Sequence, residues 1–315
     1  MQESMKLGIV GVGAVGAATA MTVALRGHAR ELILIDKDAA RAKAVATDMH
    51  YGVPLSPLMT VRDGDYEDLE GAGLVVVTAG INEKAGGATD RTDPAGRLRL
   101  LDTNVKIFED IVPKIVKVAP KAVILVATNP PEPLVEVARQ IAGHEHVMST
   151  STALDSLRFR VHLAKPLGVS PVYVNANVIA EHGTFSVFLW SSVRVGGVPL
   201  ESVLAKRNID FESFRKSIEE EVRYANITII EGTGASQYGI GMVVGRAAEI
   251  ILRDERAVFP VGSHNREYGV TLSLPSVIGT SGVIEQLMPE MTEEERAGLV
   301  RSADRLREVS RRYLR

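Results

Sequence analysis

Hydrophobic positions in the first half of the chain fall into short unbroken runs, separated by longer stretches in which apolar residues recur at helical spacing. Residues 7–10, 32–35, 73–78 and 121–127 form such runs, continuous enough to predict strands buried on both faces. Residues 59–62 and 147–149 are shorter runs of the same kind. Between them, residues 14–25, 38–51, 98–119 and 132–141 carry helical patterns, with Pro113 expected to bend the third. This alternation predicts an α/β fold with a doubly wound parallel sheet. Ligands of such sheets sit beyond the carboxyl ends of the strands, so the turns after Val10, Thr78 and Ala127 are where chemistry is expected.

From about residue 150 the pattern changes. Residues 152–167, 211–230, 238–253 and 292–315 read as helices. Residues 172–179, 258–261, 269–274 and 276–284 read as strands, and 185–195 with Val198 as antiparallel strands about the Gly196-Gly197 turn. The mixture predicts an α+β domain. No repeat, low-complexity segment or linker interrupts the chain, so the expected division is 1–149 and 150–315, with a rigid interface between the two parts.

The stretch from Lys6 to Asp36 gives the first half a ligand. A strand breaks into Gly11-Val12-Gly13-Ala14-Val15-Gly16, a helix follows, and the next strand ends on Asp36, 20 residues beyond Gly16. Gly11 permits the tight turn, Gly13 lets backbone approach a pyrophosphate, and Gly16 lets the helix lie on the sheet. The positive end of the helix dipole faces the phosphates. Asp36 stands where a carboxylate accepts the adenosine ribose hydroxyls and repels a ribose phosphate. The arrangement predicts a Rossmann-type domain binding NAD rather than NADP.

Composition narrows the class further. The 315 residues carry 36 basic and 39 acidic side chains, a formal net charge of −3, so no basic face for nucleic acid is implied. There is no cysteine, which excludes disulfides, thiolate metal sites and a cysteine nucleophile. No apolar run has the length to span a bilayer. The opening residues lead directly into the first strand, and no secretory signal is expected. A soluble, cytoplasmic protein without a metal is the expectation.

Three groups of residues are candidates for chemistry. His182, followed by Gly183 after an apolar strand, is sterically open and can exchange a proton near neutral pH. Taken alone, it reads more readily as a structural histidine. Asp155 and Arg158, three apart on a helix, are either a surface ion pair or a carboxylate supporting His182 beside a guanidinium that grips a substrate carboxylate. The glycine-rich, charged segment 80–99 is either a closing lid or an exposed loop, and its Arg91, Arg97 and Arg99 either meet an anionic substrate or are solvated.

Together these residues resemble the lactate/malate dehydrogenase family, the NAD-dependent L-2-hydroxy acid dehydrogenases, over nearly the whole chain. The likeness rests on Gly11-Val12-Gly13-Ala14-Val15-Gly16, Asp36, Asp48-Met49-His50, Thr78-Ala79-Gly80, Arg97-Leu98 with Asn104, Thr128-Asn129-Pro130, Leu154-Asp155-Ser156-Leu157-Arg158-Phe159-Arg160 and Glu181-His182-Gly183. The resemblance implies that His182 is the general acid/base and Asp155 its carboxylate partner. It makes Arg158 the clamp on the substrate carboxylate and Arg97 the group that polarises the carbonyl when the loop closes. Asn129 would bond the substrate oxygen and help place the nicotinamide. Thr78, Ala79, Gly80 and Asn104 join the glycine turn as cofactor-binding positions. A homodimer or homotetramer acting on a small 2-oxo or 2-hydroxy acid is also implied.

Departures from the family pattern bear on the substrate. Seventeen positions separate Gly80 from Arg97, several more than is usual, and counting back from Arg97 the substrate-discriminating position falls on Arg91. An arginine there resembles malate enzymes, and Ser236 replaces the threonine usual in lactate enzymes. Malate/oxaloacetate is therefore the favoured expectation, with L-lactate/pyruvate or a bulkier 2-hydroxy acid as the alternative. Thr184 follows Gly183 where many members have an acid. Asn175 stands where sugar-bisphosphate-activated members have histidine, so no such activation is expected although Arg160 is present. Two rival readings are an NAD-dependent glycosidase, which needs a metal held partly by cysteine, and a catalytically idle NAD-binding protein. The set Asp155, Arg158, His182, Arg97 and Asn129 argues against an idle binder.

Overall fold

Parallel pairing of the apolar runs organises the first half. In the computed structural model, which describes residues 5–81 and 96–314, the strands are β1 (Lys6–Val10), β2 (Glu31–Ile35), β3 (Thr60–Asp63), β4 (Leu74–Val77), β5 (Val123–Val126) and β6 (Val147–Ser149). Their order across the sheet is β3-β2-β1-β4-β5-β6, all parallel. The order reverses between β1 and β4, which opens a crevice at their carboxyl ends. The helices are α1 (Ala14–Arg26), α2 (Ala39–Gly52), α3 (Leu101–Val118) and α4 (Pro131–Ala142). Alternate strand residues supply both faces: Leu74 and Val76 pack with α1 and α2, Val75 and Val77 with α3 and α4. This is the Rossmann-type doubly wound architecture.

The second half contains α5 (Ala153–Leu167), β7 (Val174–Asn175), β8 (Val178–Ala180), β9 (Ser186–Phe188), β10 (Arg194–Val195), β11 (Val198–Pro199) and α6 (Leu200–Lys206). It continues with α7 (Phe211–Thr233), α8 (Tyr238–Leu252), β12 (Ala257–Asn265), β13 (Val270–Gly279), β14 (Gly282–Gln286) and α9 (Glu293–Arg311). The sheet does not stop at β6. β12 joins it antiparallel with Gly262 opposite Ser149, then β13, β8 and β9 follow, with β14 on β13. This continuity brings the turn after β6 and the turn after β8 to one region. A helix of the first half also grips strands of the second: Glu136 of α4 accepts from Thr271 Oγ1 at 2.6 Å and His264 Nδ1 at 2.9 Å, and from Arg139 Nη2 of its own helix at 2.7 Å.

Several elements differ from the sequence expectation. The run 172–179 is two strands: β7 belongs to a separate three-stranded sheet with β10 and β11, and only β8 enters the main sheet. The run 185–195 likewise divides into β9 and β10. Pro275 does not break its strand. It lies directly opposite Pro260 in the β12–β13 ladder, so this pair occupies a register position that needs no N–H across the ladder, and the real turn comes at Thr280-Ser281. Pro113 sits inside α3, which runs on to Val118. The short α6 after Pro199 was not anticipated.

Candidate active site

The first wall of the site is the glycine turn. Gly11 has φ +98°, donates its N–H to Ile35 O at 2.7 Å, and a Cβ there would meet Ala79 N at 2.4 Å. A Cβ on Gly16 would meet Gly11 O at 2.0 Å, so helix and turn pack too closely for any side chain. Gly13 is different: it caps α1, and a Cβ built on it meets nothing within 4 Å. The N-terminal end of α1 therefore faces open space, as binding of a pyrophosphate requires. At the end of β2, Asp36 accepts Val12 N at 2.6 Å and Asp38 N at 3.0 Å, one bond per oxygen, which leaves lone pairs for ribose hydroxyls. These features fit NAD.

The turns after β4 and β5 form the second wall. Thr78 Oγ1 donates to Gly11 O, and Thr128 Oγ1 donates to Ala79 O at 2.8 Å. Asn104 of α3 is fully buried. Its Oδ1 accepts Ile81 N at 2.9 Å and its Nδ2 donates to Asn129 O at 2.7 Å. It ties the two turns together. The Asn129–Pro130 peptide bond is cis.

The third wall comes from the second half. Nδ1 of His182 is 2.5 Å from Oδ2 of Asp155, while Oδ1 of Asp155 accepts Arg158 Nη1 at 3.1 Å. One carboxylate thus serves both side chains. All three side chains are mostly buried, 12% exposed for His182 and Asp155 and 11% for Arg158. With Nδ1 engaged, Nε2 is the ring nitrogen left to exchange a proton with a bound molecule. The remaining guanidinium donors of Arg158 can take an anion. α5 is fixed behind them: Thr152 Oγ1 donates to Val178 O at 2.6 Å, and Ser156 Oγ accepts Val178 N at 2.9 Å.

A cavity of about 340 Å³ joins the three walls. Its lining includes Gly13, Ala14, Val15, Thr78, Gly80, Asn129, Arg158, His182 and Ser236 from the expected set. Asp155, Asp36, Gly11, Gly16, Ala79 and Asn104 are not among the lining residues. Arg91 lies outside the described residues, as does most of the segment expected to close. Arg97 falls in the short helical turn Gly96–Leu100, where only its backbone is described. Among the described residues no group of three histidines or carboxylates is arranged to hold a metal, and no helix is long and apolar enough to cross a membrane.

Several site residues escaped the sequence reading. Asn226 and Ile230 of α7 line the cavity, as does Ser151. Their signal in sequence is only that of ordinary helix and turn positions. Glu132 is less ordinary: 1% exposed in the first turn of α4, it accepts His182 N at 3.0 Å and Ser151 Oγ on the same oxygen, Oε1. Burial pushes its carboxyl up from the usual range, against the opposing pull of His182 and these hydrogen bonds. The Glu that follows Asn129-Pro130-Pro131 was a possible cue, but its burial depends on turns distant in the chain.

Two family models match the chain: the lactate/malate dehydrogenase NAD binding domain over residues 5–148, and the lactate/malate dehydrogenase alpha/beta C-terminal domain over residues 152–313. A curated L-lactate dehydrogenase of Chloroherpeton thalassium is 44% identical over 308 residues, covering 97% of this chain and 98% of that protein. The L-lactate dehydrogenase of Thermus aquaticus is 45% identical over 310 residues, covering 96% and 97%. Among solved structures, the minor L-lactate dehydrogenase of Enterococcus mundtii, in a ligand-bound form, aligns with a TM-score of 0.91 at 32% identity and covers 98% of each chain.

Proposed function

The chain belongs to the lactate/malate dehydrogenase family and is an NAD-dependent 2-hydroxy acid dehydrogenase, and from this we propose that its substrate pair is L-lactate and pyruvate. The observation that carries the choice is that relatives matching almost end to end, at 41–45% identity, are L-lactate dehydrogenases. The malate preference expected from the sequence rested on Arg91, which lies outside the described residues, and on Ser236. Ser236 in the cavity wall does not by itself exclude a lactate enzyme.

The mechanism we propose uses the chain's own groups as follows. Bound NADH supplies the hydride that reduces the 2-oxo carbon. Arg158 binds the substrate carboxylate and so sets which face of the carbonyl is presented. Protonated at both ring nitrogens, His182 gives its Nε2 proton to the carbonyl oxygen as the alcohol forms, and takes it back in the oxidation of lactate. Asp155 holds Nδ1–H, fixes the ring orientation and stabilises the imidazolium. Asn129, held through its carbonyl by Asn104, is proposed to bond the substrate oxygen, and Arg97 to stabilise its developing negative charge. The glycine turn, Thr78, Ala79, Gly80 and Asp36 are the proposed cofactor-binding set.

The same reading divides the chain at residues 149 and 150, where the parallel order ends with β6, and proposes a homodimer or homotetramer. The packed helices α1 and α8 leave Met21, Leu25, Tyr238 and Met242 more than half exposed, which supports association through that face. We propose no sugar-bisphosphate activation. The Arg160 guanidinium is already bound within the chain, to Ala176 O at 2.9 Å and Asn177 Oδ1 at 3.1 Å.

NADH oxidation with pyruvate and oxaloacetate, side by side at equal enzyme, tests the substrate. A kcat/KM at least about tenfold higher for pyruvate is expected. Preference for oxaloacetate would overturn the lactate assignment and return Arg91 to the pocket.

A further inference from the structure

We propose that Glu132 is a positioning residue for the reaction, one oxygen of its buried carboxyl tying the main chain of His182 to the hydroxyl of Ser151 and so fixing where the imidazole stands beside the cavity. The inference rests on the dehydrogenase reading of the His182 site.

Both segments it joins carry backbone that needs holding. Ser151, in the turn after β6, has φ +36°, and Ala180, two residues before His182, has φ +75°. Residues with a Cβ adopt these values rarely and keep them only where the surroundings enforce them. Ala180 is held by its ladder partners Ser273 and Ser186, and Glu132 ties the two segments to each other from a third element. It occupies the first turn of α4, a helix packed against β12 and β13, so the anchor is rigid. Its Oε1 accepts His182 N at 3.0 Å and Ser151 Oγ. Asp155 orients the ring through Nδ1, whereas Glu132 orients the backbone from which the ring hangs. The two carboxyls thus fix position from opposite ends of one residue.

The second oxygen, Oε2, is buried without a hydrogen-bond partner among the described residues. A buried carboxylate with one bare oxygen is costly, and burial favours the neutral acid here. Both contacts fall on Oε1, which accepts from His182 N and from Ser151 Oγ. What the site needs from Glu132 is an acceptor of the right length, not a charge. Glutamine supplies the same acceptor and a donor in place of the acid O–H.

The test compares Glu132→Gln and Glu132→Leu with the wild-type enzyme in NADH-dependent pyruvate reduction. NADH affinity is followed by fluorescence titration, and exchange of the His182 amide proton by NMR. Glu132→Gln is expected to keep kcat within about threefold of wild type. Glu132→Leu, similar in volume but with no acceptor, should lower kcat roughly 10- to 100-fold by displacing the imidazole. KM for pyruvate and NADH affinity should stay near wild type, and the His182 amide should exchange faster. A purely structural role would instead reduce stability without this kcat-specific loss and its rescue by glutamine. Wild-type kcat in Glu132→Leu, or equal losses in both variants, would overturn the inference. If Glu132→Leu does not fold, Glu132→Gln decides alone: near-normal kcat with a protected His182 amide supports it, and loss of either refutes it. A wild-type protein inactive on every 2-oxo acid would end the functional reading instead, and the amide exchange would still judge the tether.

Discussion

Nδ1 of His182 stands 2.5 Å from Oδ2 of Asp155, a side chain 27 positions earlier that the sheet continuation through β12 and β13 brings beside it. The same carboxylate holds Arg158 on its other oxygen. Substrate clamp and proton donor therefore share one anchor. Asp155→Asn keeps the shape but removes the charge that stabilises the imidazolium, and it leaves one acceptor oxygen where His182 and Arg158 now use two. We expect kcat to fall by roughly 10²-fold or more, with NADH affinity unchanged. Steady-state kinetics with a parallel NADH titration would check this. A loss confined to KM would mean that Asp155 serves Arg158 alone.

Cofactor choice turns on Asp36. Its oxygens accept Val12 N and Asp38 N, which holds the carboxylate at the end of β2 where an adenosine ribose would lie. Asp36→Ser removes the negative charge that repels a ribose phosphate. The ratio of kcat/KM for NADPH to that for NADH is expected to rise by about tenfold or more, mostly through weaker use of NADH. An unchanged ratio would place the ribose elsewhere.

The glycine turn and Asp36 were legible in sequence because that unit is local: strand, turn, helix and terminal acid lie within one continuous stretch, each forced by backbone geometry. The parallel runs were legible for a related reason, since strands buried on both faces have no polar positions to confuse with helix. The division of 172–179 into β7 and β8 was not legible, because a single apolar run does not say that its ends enter different sheets. Pro275 misled for the opposite reason: its tolerance depends on Pro260 facing it across the ladder. At the site, spacing alone left Asp155, Arg158 and His182 open between structure and chemistry. The family resemblance assigned them roles, and the fold shows their contacts. Glu132 went unseen, as its burial is made by the turns after β6 and β8.

Acid stability has a predicted origin in Glu136. Burial alone would raise its carboxyl, but hydrogen bonds from His264, Thr271 and Arg139 outweigh burial and lower it from 4.5 to about 2. The folded state therefore binds this proton less readily than the unfolded chain. The stabilisation is fully present above pH 4.5 and is lost as pH falls toward 2. Thermal unfolding measured across pH should show Glu136→Gln less stable than wild type at neutral pH, by on the order of 3 kcal/mol. The two curves should converge at the acid end. Parallel curves would show that the α4 contact with β12 and β13 does not depend on this charge.

In the proposed mechanism His182 moves the proton while the rest of the chain binds and orients. The most direct measurement is kcat for pyruvate reduction by wild type and His182→Asn at saturating NADH, with NADH affinity determined on the same samples. We predict a fall of roughly 10²- to 10⁴-fold in kcat with NADH affinity preserved. Turnover by His182→Asn near the wild-type rate, with NADH bound equally well, would show that another group moves the proton.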